Sequence, residues 1–517
     1  MTTDKGDEMG NNQKNNNLLG GSFVKMAAIL AGAGLVVRFI GFLYRLPLTN
    51  MIGDEGNGIY AAGYNIYNFF LIMSSAGLPV AISRMIAEKL ALEEYSNARK
   101  IFRVSMLASG GLSLLFAILM AVGTYIFQRY CIATGNTDNL WYPSVWCLYT
   151  LSPTIFIVGV MAVYRGYFQG FHQKGTGIGA LSGLIILMIF YVKTIKKRNE
   201  IFALDKKNYR VEGSGEIVSN LVKIAVPVIT GTAIFSMTNF VDMVMVNSRL
   251  AAAGFDHNTI VKLYGQLNGK YVTLSTMPVA ISTAIATAVI PSIAASMARK
   301  EHSIVQSKVD TALRVTMMIS IPAAGGLGAL GTPILAMLFP RYAEGGSLIT
   351  VGSISVIFLA LSQISTGVLQ GIGKVKTPAF NALWGALVKI PVNYVLIAIP
   401  QINIIGAVIS TTVCYIVCSI LNFRALVKTT GVKPDYTGML LKPGFSALCM
   451  SICAVAAYRG IYCLVPSNTF ATLAAILIAI VVYVIVMILV KGFKREDLKM
   501  MPAGTKLIGF LEKINRI

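Results

Sequence analysis

Thirteen apolar runs, most close to the length that crosses a bilayer, constrain this chain more than any other feature of it. They fall at about 22–48, 58–86, 104–127, 143–164, 176–192, 217–247, 264–297, 311–338, 347–370, 378–399, 403–423, 444–465 and 469–490. A helix needs roughly 20 apolar residues to span the hydrocarbon core, and its backbone must satisfy its own hydrogen bonds there. No alternating barrel pattern is present. The composition agrees, with 55% hydrophobic and 13% charged residues over 517 positions, too apolar for a soluble chain of this length. The expected fold is an all-α polytopic membrane protein of about 13–14 membrane segments.

The formal net charge of +22 would suggest nucleic acid in a soluble protein. Here the basic residues sit in short loops between apolar runs, as the positive-inside bias requires, and no basic face interleaved with aromatics is found. Nucleic acid is therefore not an expected partner; membrane lipids are. Residues 1–21 are polar and Asn-rich and read as a disordered N-terminus without a signal peptide. The seven cysteines form no CxxC pair. Cys414 and Cys418, and Cys449 and Cys453, lie one turn apart in apolar runs and read as small buried hydrophobes, so no metal site is expected. His172, His257 and His302 fall in loops, away from any Ser/Asp or Cys arrangement that would serve nucleophilic catalysis. No P-loop is present. The chain does not read as an enzyme, no catalytic residues are assigned, and no cofactor is implied. Coupling to Na+, H+ or the membrane potential is the energy source considered.

The sequence repeats itself. Val24-Lys25 recurs as Val222-Lys223, Pro79-Val-Ala-Ile-Ser83 as Pro278-Val-Ala-Ile-Ser282, and Gly166-x-x-Gln169-Gly170 as Gly367-x-x-Gln370-Gly371. Lys174 and Lys374 follow at a nearly equal spacing. Four matches in order argue for two related helical bundles, a transporter signature with the substrate site at the repeat interface. The expected organisation is an N-lobe at 22–198, a basic cytoplasmic linker at 199–216, a C-lobe at 217–428, two C-terminal transmembrane helices at 429–490 and a basic cytoplasmic tail at 491–517. The N-lobe is one helix short; the missing one corresponds to 378–399. With both termini inside, the loops bearing Arg84, Lys89, Arg99 and Lys100 and those bearing Arg299, Lys300, Lys374 and Lys376 fall inside. The Lys193–Arg210 loop, with seven Lys/Arg, obeys the charge bias only if 170–192 starts and ends on the inside.

Charge inside the apolar helices marks the candidate site, because ionisable groups in hydrocarbon are costly. Arg38 and Arg45 lie about two turns apart, roughly 10 Å along one face. Arginine's planar fork suits phosphate or diphosphate, although Arg45, near the outer end, could equally snorkel. An acidic Gly-rich turn is expected at Asp54–Gly58. The next helix carries Tyr60, Tyr64, Tyr67, Asn68 and Ser75 as one polar stripe, facing either a watery cavity or another helix through hydrogen bonds. Gly77 and Pro79 should kink this helix. Asp242, one turn beyond Asn239, falls at the repeat equivalent of position 44. It is a candidate coupling or gating residue, pairing with Arg38 or Arg45 or binding a coupling cation; a plain interfacial aspartate explains it as well. Lys389 is a weaker candidate, with packing against Asn393 as its alternative. Glu88–Arg103 reads as an amphipathic cytoplasmic helix.

The stretches RFIGFLYRLPLTNMIGDEGNGIY, YNIYNFFLIMSSAGLPVAISRMIAEK, GYFQG and STGVLQGIGKVKTPAFNALWGALVKIPVNYVLI resemble the stage V sporulation protein B family of polysaccharide-export proteins. These are relatives of the MurJ-type lipid II flippases in the multidrug/oligosaccharidyl-lipid/polysaccharide (MOP) superfamily. The resemblance implies a MATE/MurJ-like fold of two six-helix bundles, here plus two C-terminal helices. It also implies alternating access and a cationic cavity for a polyprenyl-diphosphate-linked saccharide. Arg38 and Arg45 match that cavity's first-helix arginines; a further arginine of the second helix is replaced by Ser74 or Ser75. The expected function is a multi-pass cell-membrane flippase for such a precursor, with envelope-synthesis proteins as further partners. The rivals are a cation-coupled multidrug exporter of the same superfamily, a membrane glycosyltransferase, and a degenerate sporulation or envelope assembly protein.

Overall fold

A computed structural model describes residues 5–135, 142–170, 188–189, 191–193, 210–374, 376–495 and 497; the side chains of residues 5–35 and of Arg38 are not among those described. Every regular element among the described residues is helical: α1 (Lys5–Ser75), α2 (Leu78–Ala91), α3 (Tyr95–Thr134), α4 (Val145–Gly170), α5 (Ser214–Ala252), α6 (His257–Gly265), α7 (Val272–Ala298), α8 (His302–Leu338), α9 (Gly346–Gly352), α10 (Ser355–Gly371), α11 (Lys376–Ile397), α12 (Ile405–Thr430), α13 (Lys442–Leu464) and α14 (Asn468–Leu489). Short π-helical stretches, Gln266–Tyr271 and Thr437–Leu441, lead into α7 and α13. Eight of the described helices are long and apolar enough to cross a membrane, or nine if α9 and α10, bent by 51°, form one span. The sequence segment 176–192, most of the 199–216 linker, the topology of 170–215 and most of the tail beyond 497 lie outside the described residues.

Local chemistry explains most breaks. α1 turns sharply at Gly53 (φ 70°, ψ −173°), a conformation open to little but glycine. The turn expected at Asp54–Gly58 is therefore a correction: those residues are helical. Gly58 serves close approach instead, as does Gly265 opposite it. A Cβ on Gly58 would lie 2.3 Å from the Val261 carbonyl oxygen, and one on Gly265 would lie 1.7 Å from that of Asp54. The kink expected at Gly77-Pro79 is present as a full break, with Pro79 in the first turn of α2, where its missing N–H costs nothing. The Glu88–Arg103 helix is also corrected. It is split after Ala91 by a turn in which Glu93 takes φ 60°. α8 leaves helical geometry at Leu330, three residues before Pro333, as a proline ring demands.

Contacts group the chain into two compact units. The first comprises Met1–Gly53, Gly269–Gly385 and Val408–Ile517. α8 is its axis. Val309, Leu313 and Met317 of α8 share a buried cluster with Val356, Ala360 and Ile364 of α10, Met450 and Ala454 of α13, and Ala475, Ala479 and Tyr483 of α14. The Tyr483 hydroxyl donates to the Met318 carbonyl at 2.8 Å. At one end of α8, Arg314 is buried and takes Asp497 in a forked pair, with Nη2–Oδ1 at 2.8 Å and Nε–Oδ1 at 3.1 Å. Asp310 also pairs with Arg314, and its other oxygen accepts from the Asp435 amide at 3.1 Å. Lys494 closes the clasp on Asp435 at 2.8 Å.

The second unit comprises Asp54–Asn268 and Ala386–Ala407. Its core joins Ile82 and Ile86 of α2, Ile101 and Phe102 of α3, Val163, Tyr167 and Phe168 of α4, and Ile217 and Leu221 of α5. Ser105, Ser109, Ser113 and Ala117 recur every fourth residue on the buried face of α3. A Cβ on Gly159 of α4 would lie 2.3 Å from the Ser113 side chain, so a stripe of small residues lets the two backbones approach. Ahead of α5, Asn97 ties the chain down: its Nδ2 donates to the Arg210 carbonyl at 3.1 Å and its Oδ1 accepts from the Glu212 amide at 3.0 Å.

Candidate functional site

The two units carry separate constellations of polar groups, each built between two long helices. In the first unit, Arg45 of α1 reaches α7, and its Nη1 donates to the Thr273 hydroxyl at 2.5 Å. The two residues line an open groove of about 340 Å³ with Gly41, Phe42, Val272 and Met277. The side chains are apolar apart from Arg45 and two threonines, Thr273 and Thr276. An arginine in such a setting is a fixed cation with a planar fork of donors, able to bind an anionic oxygen bidentately. One turn along α1, Asn50 Nδ2 donates to the Leu338 carbonyl at 2.9 Å and to the Leu46 carbonyl at 3.0 Å. Phe42 and Leu46 pack on the buried cluster of Leu274, Leu335, Phe339 and Ile349. Arg45 is thus held by a helix anchored on both sides. Arg38, two turns earlier, lies on the same helix; its side chain is outside the described residues.

In the second unit, Asp242 of α5 meets α11. Lys389 Nζ lies 2.5 Å from Asp242 Oδ2, and Asn393 Nδ2 donates to Oδ1 at 2.9 Å. The Lys389 and Asp242 side chains are only 4% and 13% exposed, so the charges are held by each other and not by water. Lys389 and Asn393 are four residues apart and share one helical face. Asn239, one turn before Asp242, is exposed. The structure therefore pairs two of the three coupling candidates, Asp242 and Lys389, while Asn239 is exposed one turn before Asp242.

The tyrosine stripe forms as the spacing predicts. Tyr60 and Tyr64 stack with centroids 5.8 Å apart, and Tyr64 and Tyr67 lie 5.8 Å apart at a tilt of 50°. Tyr64 is exposed, Tyr67 is buried, and Asn68 is half-buried. The stripe is thus part surface and part packing. Ser74 and Ser75, at the end of α1, bond back to the Leu71 carbonyl at 2.9 and 2.7 Å.

Several polar contacts join residues too far apart in the chain for local sequence to signal. Asn65 Nδ2 donates to the Tyr264 hydroxyl at 2.8 Å, and Gln266 Nε2 to the buried Asp54 carboxylate at 3.0 Å. Lys270, in the π-helical stretch, is buried and donates to the Tyr342 and Glu344 carbonyls at 2.6 and 2.9 Å. The one available signal was Lys270 itself, a charge at the start of an apolar run. Among the described residues, no group of three or more His, Cys, Asp or Glu side chains is placed to hold a metal.

Comparison with known proteins connects these features. A family model described as "Polysaccharide biosynthesis protein" matches residues 23–177, and the MatE model matches 271–395. The chain is 24% identical to stage V sporulation protein B of Bacillus subtilis (strain 168), over 94% of this chain and 99% of that protein. It is 22% identical to the lipid II flippase MurJ of the same organism, over 80% and 83% of the two chains. Among solved structures, a lipid II flippase MurJ in an inward closed conformation superposes with a TM-score of 0.61 at 17% identity, covering 89% of this chain and 98% of the other.

Proposed function

The chain belongs to the multidrug/oligosaccharidyl-lipid/polysaccharide superfamily of membrane transporters, and within it we propose that this protein flips a polyprenyl-diphosphate-linked saccharide across the cell membrane by alternating access. The observation that carries this reading is Arg45, a permanent cation presented to an open groove from an apolar helix and seated against Thr273. A diphosphate offers the anionic oxygens that a guanidinium fork matches. Arg38, on the same helix, would take the second phosphate or exchange it with Arg45 along the path. α13 and α14, with their exposed Leu448, Ile452, Leu477 and Val481, offer an apolar surface for the polyprenyl tail. In this reading both termini lie in the cytoplasm.

The test is binding of a polyprenyl-diphosphate disaccharide to the purified protein in lipid nanodiscs, comparing wild type with Arg38→Ala and Arg45→Ala. Loss of one charge-assisted contact should weaken binding by about tenfold or more. Equal affinity in all three proteins overturns the assignment. One observation favours a second reading, export of cationic drugs: the MatE match across 271–395. Under that reading organic cations would bind, and Arg45→Ala would leave their transport intact.

A further inference from the structure

Asp242 is the kind of residue on which a cation-coupled transporter loads its driving ion: a carboxylate on a long helix, withdrawn from water. Here that carboxylate is already filled. One oxygen holds the Lys389 ammonium at 2.5 Å and the other accepts from Asn393 at 2.9 Å. Both donors come from one face of α11, and Asn393 is fully buried. A side-chain ammonium and a small alkali cation satisfy the same carboxylate by the same Coulomb attraction. The ammonium, however, is tethered, cannot diffuse away, and costs no loading step. We infer that Lys389 is a built-in counter-cation occupying the place of an ion at Asp242, so that this protein binds no free cation there. The α5–α11 connection is then present whatever the salt, and transport draws on substrate supply or the membrane potential and not on a cation bound to Asp242. The inference rests on the transporter reading for its meaning, but it holds for either substrate class.

The space vacated by the lysine chain gives the test. Removing Lys389 leaves the Asp242 carboxylate beside the Asn393 amide, an oxygen-rich pocket of the kind a hard monovalent cation takes. Thermal unfolding of the detergent-purified protein would be followed in NaCl and in choline chloride at equal ionic strength. Wild type should melt at the same temperature in both. Lys389→Ser should be destabilised in choline and recover by several degrees in Na+, with a saturable titration, and Lys389→Ser/Asp242→Asn should lose that response. A Na+-specific shift in wild type that Asp242→Asn abolishes overturns the inference, as does a Lys389→Ser protein whose Na+ response equals that of the double variant. Should Lys389→Ser fail to fold, radioactive 22Na+ binding to wild type and to Lys389→Gln/Asp242→Asn decides on its own. Equal, background-level counts support the built-in cation, and counts above background in wild type alone refute it. None of these readouts involves the saccharide, so their failure is separable from failure of the diphosphate assignment.

Discussion

Asp242 carries the sharpest residue-level expectation, because its partners are fully named. Replacing one member of a buried ion pair leaves the other charge stranded, at a cost of about 3–5 kcal/mol, whereas replacing both is far milder. Asp242→Asn should therefore lower the melting temperature markedly, and Asp242→Asn/Lys389→Gln should recover most of the loss. Additive losses would show that the pair contributes nothing jointly. Arg45→Lys should behave like Arg45→Ala in the binding assay, because an ammonium supplies a charge without the planar fork. Asp435 makes an acid-side prediction. Its carboxylate is held below the usual range by the hydrogen bond from Lys494 and by the Gly438 amide. A depressed folded value means that its stabilisation is present at neutral pH and disappears as pH falls through that value, below about pH 4. Unfolding measured against pH should show a shallower acid limb in Asp435→Asn.

At the scale of elements, glycines decide where helices bend and where they touch. Gly53→Ala meets two obstacles at once: a backbone region reserved for glycine, and a Tyr342 ring 2.9 Å from the new Cβ. Strain of this kind costs about 1–3 kcal/mol, and circular-dichroism melts should show the loss. Gly159→Leu should do comparable damage without any backbone strain, by forcing α4 away from Ser113; Ser113→Gly in the same chain should relieve part of it. The distinction between bending and touching is what sequence inspection misassigned. Gly56 and Gly58 have the composition of a turn, yet Gly58 lies within a helix and makes room for the Val261 carbonyl. Composition reports that a glycine is needed; the demand itself comes from a segment about 200 residues away, which no local pattern encodes.

For the whole molecule, the clasp around Arg314 links the beginning of the C-terminal tail to α8 and to the segment before α13. Asp497→Ala removes three hydrogen bonds from a buried guanidinium while Asp310 remains. The lower end of the range for a broken buried pair, about 3 kcal/mol, is expected, read as a shift in thermal melting. Truncation after Lys491 should match it if Asp497 is the tail's principal contribution. The compact units also differ from the repeat units. The part of α1 before Gly53 packs with α7 and α8, through Arg45–Thr273 and the Phe42–Phe339 cluster. Sequence similarity between segments does not dictate packing, which follows which apolar faces meet.

What the sequence determined by itself is what depends on local quantities. Hydropathy and run length dictate helices in a membrane, helical spacing dictates the tyrosine stripe, and Arg38 and Arg45 stand out as charge on an apolar helix. What only the tertiary structure decided is the partner of each charge. Thr273 lies 228 residues from Arg45, and Lys389 lies 147 from Asp242. A buried charge must be satisfied by something. Which group satisfies it is fixed by helix packing over those separations, and for Asp242 it is the Lys389 ammonium.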